Sequence, residues 1–271
     1  MNARGAIVRR QGDAEDRMGR MRSATGSTRR PRSAVRRSLG PLPIGLGLAL
    51  LLGPWAAQAA DPPLRAAVRR EAVADRLVAA GVPREPLRRA LDAHACARAR
   101  GLVEGDTLTL IDYSQRSVRK RLWVLDVARG RVRFHELVAH GRETGGDRAE
   151  HFSNVEGSRR SSLGLFRTAE TYEGRHGYSL RLDGLEAGVN DRARERAIVI
   201  HGADYATAEF AAQHGRLGRS WGCPAVDVAV HRALIDEIRG GTALFAWYPD
   251  ASWLRESDYL DCDAEQITSS R

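Results

Sequence analysis

Cys223 stands in the stretch Gly218-Arg219-Ser220-Trp221-Gly222-Cys223-Pro224, where glycine and proline neighbours fix the backbone rather than fill a core. A thiolate there could attack an acyl carbon. Gly222 permits a substrate to approach closely, because it has no side chain to obstruct. Backbone N–H groups on this loop, those of Gly222 and Trp221 included, could meet a developing oxyanion, usually the largest electrostatic term in acyl transfer. Taken alone, Gly-Cys-Pro suits a disulfide cysteine or a buried structural thiol equally well. His201 changes that balance. It follows the apolar run Ala197-Ile198-Val199-Ile200 and precedes Gly202, so a strand end holds it. A thiol of pKa about 8.5 is mostly protonated at neutral pH, and an imidazole beside it both lowers that pKa and takes the proton. The carbonyl of Gly202 or a nearby backbone oxygen is suited to orient that imidazole, as a side-chain acid does in triads.

Around this pair stand groups suited to hold a substrate: Arg219, Arg216 and Ser220 near the cysteine, and Tyr172, His176 and Ser179 in a glycine-rich segment. Arg219 reads equally well as a solvated loop residue. His176, bracketed by Gly174 and Gly177, is a better candidate than His140, which ends a strand before Gly141. Ser161-Ser162-Leu163-Gly164 lacks the Gly-x-Ser-x-Gly elbow of a serine nucleophile and reads as turn and strand entry. Asp191 and Asp204 have no His-Glu-x-x-His or Cys-x-x-Cys pattern beside them, so a zinc site has little support.

A His-Gly at a strand end followed about twenty residues later by Ser-x-Gly-Cys resembles the catalytic motif of the L,D-transpeptidase (YkuD-type) family, through His201, Gly202, Ser220, Gly222 and Cys223. The likeness is closest to a divergent murein L,D-transpeptidase branch and runs over nearly all of residues 107–248, including HFSNVEGSRRSSLGLF, YEGRHGYSLRLDGLEAGVND, IVIHGADY and GRLGRSWGCPAV. There are two departures. Trp221 stands where the family has a second histidine, and Ala225 where it commonly has an arginine; Arg219 or Arg216 are candidates to replace the latter. The resemblance implies a β-sandwich or barrel core and ping-pong acyl transfer through a Cys223 thioester. Peptidoglycan stem peptides would be donor and acceptor, carbapenems inhibitors, and no cofactor or metal would be required. With water the same site would be a carboxypeptidase, and with a free D-amino acid an exchange enzyme. A papain-like cell-wall endopeptidase is disfavoured, since there the cysteine precedes the histidine. A non-catalytic peptidoglycan-binding protein remains a rival because of Trp221 and Ala225. If Cys223 is the free thiol, Cys96 and Cys262 are left to pair.

The elements that must position these groups are mostly strands. LTLIDY, RLWVLDV and RVRFHELVAH are short and rich in β-formers, with a turn at Ala128-Arg129-Gly130. Residues 141–192 read as a long irregular stretch with one short strand near Leu163–Arg167. AIVIHG delivers His201, and a polar loop follows. Asp227 is placed to cap a helix over Val228–Arg239 that carries Val230, Leu234 and Ile238 on one face and has Gly240 at its C′ position. TALFAWY is a last strand. The fold expected is mainly β with one marked helix, preceded by a helical segment.

Residues 1–40 are arginine-rich and precede PLPIGLGLALLLGPWAAQAA, which ends in Ala57-Gln58-Ala59. These are the parts of a cleavable secretory signal, with Met18 or Met21 as alternative starts and only a weak twin-arginine likeness. The run is interrupted by Pro54 and short of the about 20 apolar residues of a comfortable membrane span. The membrane would be met only during export to the periplasm. The leader also explains the basic charge. Of 43 Lys+Arg and 34 Asp+Glu, residues 1–59 hold 11 and 3, leaving 32 against 31. A nucleic-acid partner is thereby excluded. The expected division is leader 1–59, helical lead-in 60–104, catalytic domain 105–250 and tail 251–271. Three cysteines in an oxidising compartment suggest one pair and one free thiol.

Overall fold

The computed structural model of the chain describes residues 62–262. The leader, its Ala57-Gln58-Ala59 site and the alternative starts lie outside the described residues, as do residues 263–271. Two helices come first, α1 (Pro62–Ala79) and α2 (Arg84–Ala99), followed by strands β1 (Thr107–Asp112), β2 (Leu122–Asp126) and β3 (Arg131–Glu136). Then come β4 (Gly164–Gly174), β5 (Gly177–Gly184) and β6 (Val199–Gly202), a 3-10 turn at Asp204–Ala206, and α3 (Ala208–His214). The chain continues through β7 (Ala225–Val226), α4 (His231–Ile238), β8 (Ala243–Trp247) and α5 (Ala251–Glu256).

The strands form one sheet in the order β3-β2-β1-β8-β4-β5-β6-β7. Beyond β3 the chain comes round to β7, where Ala139 N–H donates to Ala225 O at 2.8 Å, so the sheet is nearly closed. β8 is a central strand, parallel to β1 and antiparallel to β4, and all five of its residues are buried. Leu77 and the α2 residues Leu87, Ala90, Ala93 and Ala97 are buried in the same core as β1 and β8. Cys96 of α2 pairs with Cys262, with Cα atoms 5.8 Å apart. α5 is capped by Asp250, which accepts from the Ser252 and Trp253 N–H groups. Trp253 is buried and donates Nε1–H to Glu186 at 2.9 Å. No helix among the described residues is long and apolar enough to cross a membrane.

Three expectations change. The irregular reading of residues 141–192 gives way to a long hairpin, β4 and β5, turned by Arg175-His176 alone. Only its base is buried, and polar residues line its outer half, so no apolar alternation announces it. The polar loop before Cys223 contains α3, with Thr207 Oγ1 accepting from Phe210 N–H at 3.1 Å and Gly215 closing it at φ 67°. Seven residues are too few for a helical period to register. The marked helix starts later than expected: Asp227 accepts from the Ala229 N–H at 2.8 Å in a preceding turn, and α4 begins at His231.

Candidate active site

His201 and Cys223 are brought together by strand register. β6 runs parallel to β7 with His201 opposite Ala225, which puts Cys223 two residues before that point. Parallel neighbours need a crossover of a dozen or more residues. The 3-10 turn and α3 supply it, which accounts for the spacing of histidine and cysteine in the chain. Both side chains line one cleft of about 450 Å³, together with Tyr172, His176, Tyr205 and Trp221.

His201 Nδ1 lies 2.9 Å from the Gly202 carbonyl. A carbonyl only accepts, so Nδ1 carries the proton and Nε2 is left as the basic nitrogen. Gly202 also has no room for a side chain: a Cβ would come 2.7 Å from the His231 ring. Cys223 is half-buried, and its thiol donates to Ala197 O at 3.6 Å. Among the described hydrogen bonds none joins the thiol to His201, a looseness common in substrate-free sites. Burial pushes the Cys223 thiol up; the Val199 N–H, the Arg196 charge and the cysteine's own N–H oppose this. Burial also lowers His201, with help from His176 and His231 and against the Gly202 carbonyl. Both shifts favour the uncharged forms, thiol and imidazole.

The nucleophile loop is held from below. Ser220 is buried; its hydroxyl donates to Cys223 O at 2.6 Å and accepts from the Gly222 N–H at 3.1 Å. Its hydroxyl is thus occupied on the loop itself. Gly222 sits at φ 127°, with its missing Cβ directed at Arg160 O. Ser161 Oγ donates to Gly222 O and accepts from the Gly141 N–H, each at 3.0 Å, so Ser161 is a brace and not a nucleophile. Ala197 has φ 53° and Arg159 φ 55°. Both are non-glycine residues in the left-handed region, flanking the site where such strain tends to concentrate.

Among the described residues three arginines line the cleft and no carboxylate does. Arg219 donates Nη1–H to the carbonyls of Arg142 and Gly145. Arg196 spans Ser153 O, Ser162 Oγ, Ser158 Oγ and Arg160 O, tying the 153–162 loop to the cleft. Arg175, at the hairpin tip, is exposed and makes no hydrogen bond or ion pair among the described residues. Trp221 is 63% exposed, with the Arg159 guanidinium 4.9 Å from its ring. Sequence reasoning missed Arg175, Arg196 and Tyr205. Arg175 adjoins His176 in the same Gly-bracketed turn, so recognition of the hairpin would have found it; a lone arginine in so arginine-rich a chain carries no such signal.

Other candidates lie elsewhere. Arg216 donates to Leu217 O and does not line the cleft. Ser179 pairs with His201 across β5 and β6, its hydroxyl bonded to Gly177 O. His140 is buried beneath the loop, accepting from Arg121 at 2.7 Å. Asp191 accepts from Asn154 and Gly188. Asp204 opens the 3-10 turn. No cluster of three metal-ligating side chains occurs among the described residues.

Residues 79–247 match the family model described as L,D-transpeptidase catalytic domain. Comparison with curated proteins finds no match. Solved structures similar to the chain include an L,D-transpeptidase from Mycobacterium smegmatis, at 12% identity and TM-score 0.34 over 53% of this chain and 59% of that one. An LD transpeptidase in complex with imipenem is similar at 12% identity and TM-score 0.34, over 52% and 59%. The helical cell shape determining protein Pgp2 from Campylobacter jejuni is similar at 14% and 0.35, over 62% and 58%. The chain spans about three fifths of the length of each.

Proposed function

The chain belongs to the L,D-transpeptidase catalytic-domain family, and on that premise we propose that it transfers acyl groups between peptidoglycan stem peptides through a Cys223 thioester, in the periplasm. The observation that carries this reading is the shared cleft, in which a single free thiol meets an imidazole whose Nδ1 is already committed to a backbone carbonyl.

His201 Nε2 takes the Cys223 proton as sulfur attacks the carbonyl carbon of an L-centre. The tetrahedral intermediate collapses to the thioester, and the departing amine of the terminal D-residue receives that proton from His201. An acceptor amine then attacks the thioester, gives its proton to His201, and the sulfur leaves and is reprotonated. With water as acceptor the outcome is carboxypeptidase activity. Neutral reactants suit this sequence, because the base must be unprotonated before attack. The Gly222 N–H is already bonded to Ser220. The Cys223 N–H, which faces the sulfur, is therefore the loop donor proposed for the oxyanion. The arginine-lined, carboxylate-free cleft favours a donor that ends in a free carboxylate, with Arg175 the guanidinium available to meet it.

The test is intact-mass measurement after mixing purified protein with a stem tetrapeptide, and separately with imipenem. A covalent adduct on the wild type that is lost in Cys223→Ala and discharged by an added amine is expected. Folded wild-type protein that binds stem peptide without ever forming an adduct would mark a binding module instead.

A further inference from the structure

His176 stands in the two-residue turn of the β4–β5 hairpin, between Gly174 and Gly177, which pair with each other. Gly177 adopts φ 69°, and a Cβ on Gly174 would come 2.5 Å from the Tyr172 ring, so glycine suits both ends of the turn. The hairpin carries His176 onto His201: the ring centroids are 4.4 Å apart and the planes 24° from parallel. His176 makes no hydrogen bond among the described residues. Rings so nearly parallel leave no line for an N–H···N bond, so no proton passes directly between them.

We infer that His176 is a positioning residue of the acyl-transfer site, which clamps the ring of His201 face to face. The inference rests on His201 being the base. The groups that face His201 are His176 from the hairpin, His231 from α4 and Cys223 from the loop, with Arg175, Arg196 and Arg219 along the cleft. None is a carboxylate that would hold a protonated imidazole. Both neighbouring imidazoles act in the same direction as burial, lowering His201. His231 is fixed by its own bond to Val228 O at 2.7 Å, whereas His176 has only the stack. Because Trp221 offers no imidazole from the nucleophile loop, the hairpin is what brings a second imidazole to the cleft.

Two variants separate the stacked ring from its imidazole nitrogens. His176→Phe keeps a flat ring without them, and His176→Ala removes both. Ring-proton NMR titration of His201 reads the coupling without any turnover, and single-turnover acylation by imipenem across pH reads its consequence. The His201 midpoint and the acid limb of acylation are expected to rise together, by about half to one pH unit, in both variants. In His176→Phe the alkaline plateau should stay within about threefold of wild type, while in His176→Ala it should fall about tenfold as the ring loses its tilt. An unmoved His201 midpoint in both variants overturns the inference, as does a His176→Ala defect confined to KM. A midpoint that moves while the acid limb stays put would uphold the contact but show that His201 is not the base.

Discussion

Gly141 packs against Gly222 so closely that a Cβ on Gly141 would lie 3.0 Å from the Gly222 Cα and amide nitrogen and 2.4 Å from Arg159 O. All three obstacles are backbone, so relief requires the chain to give at Arg159 and, with it, at Gly222 of the nucleophile loop. We expect Gly141→Ala to fold with a loss of about 1–3 kcal/mol. Acylation of Cys223 should slow by about 10²-fold, since a shift of about 1 Å at a reacting group has that order of effect. Urea denaturation and single-turnover acylation check the two halves; wild-type acylation in a destabilised variant would show that the loop does not follow Gly141.

Burial holds the Cys223 thiol above its ordinary range. In the free enzyme, alkylation by iodoacetamide should therefore keep accelerating past pH 9 and show no plateau near neutrality. A rate that levels off below pH 8 would indicate a preformed thiolate–imidazolium pair.

Arg175 is expected to select the donor's carboxylate. Arg175→Gln should lower kcat/KM for a stem donor with a free C-terminal carboxylate by about tenfold, equivalent to losing one charge-assisted contact of about 1.4 kcal/mol. The same donor as its amide should change by less than about twofold. Equal losses on both donors would assign Arg175 to the hairpin's shape instead.

His140 is pushed down to about 3, first by burial and then by the neighbouring charge of Arg121. An unfolded histidine binds its proton near pH 6.5. Between those values the unfolded chain holds more protons than the folded one, so stability falls as pH drops through that window. His201, lowered for related reasons, acts in the same direction. We expect a loss of about 3 kcal/mol at pH 4 relative to pH 7.5 from His140 alone. His140→Asn, less stable at neutral pH, should lose that share of the slope. Denaturation midpoints measured from pH 4 to 8 decide it.

The Cys96–Cys262 pair closes a loop with a sequence separation of 166 and ties α2 to the segment after α5. Replacing both by alanine should cost about 2–4 kcal/mol. Acylation by the folded fraction should stay within about twofold, since neither residue lines the cleft. A large loss of acylation without unfolding would mean that the packing of α2 reaches the site.

The pair proposed to react stands out in the sequence through local marks: an apolar strand run before His201, and a Gly-Cys-Pro loop that gains meaning only from its pairing with that histidine. β1, β2, β3 and β6 were legible too, since each is short, rich in β-formers and bounded by turns. The outer hairpin was not, because its far half buries nothing and so carries no apolar period. Arg219 and Arg216 read alike in sequence, three residues apart. Only the folded loop turns one into the cleft and the other away, because the peptide planes of Arg142 and Gly145 offer carbonyls to Arg219. The meeting of His176 with His201 belongs wholly to tertiary structure. Twenty-five positions separate them, and no local preference links a hairpin turn to a strand end. The pairing of β5 with β6, through Leu180 opposite Ile200 in the buried core, sets the register that lays the tip over the site.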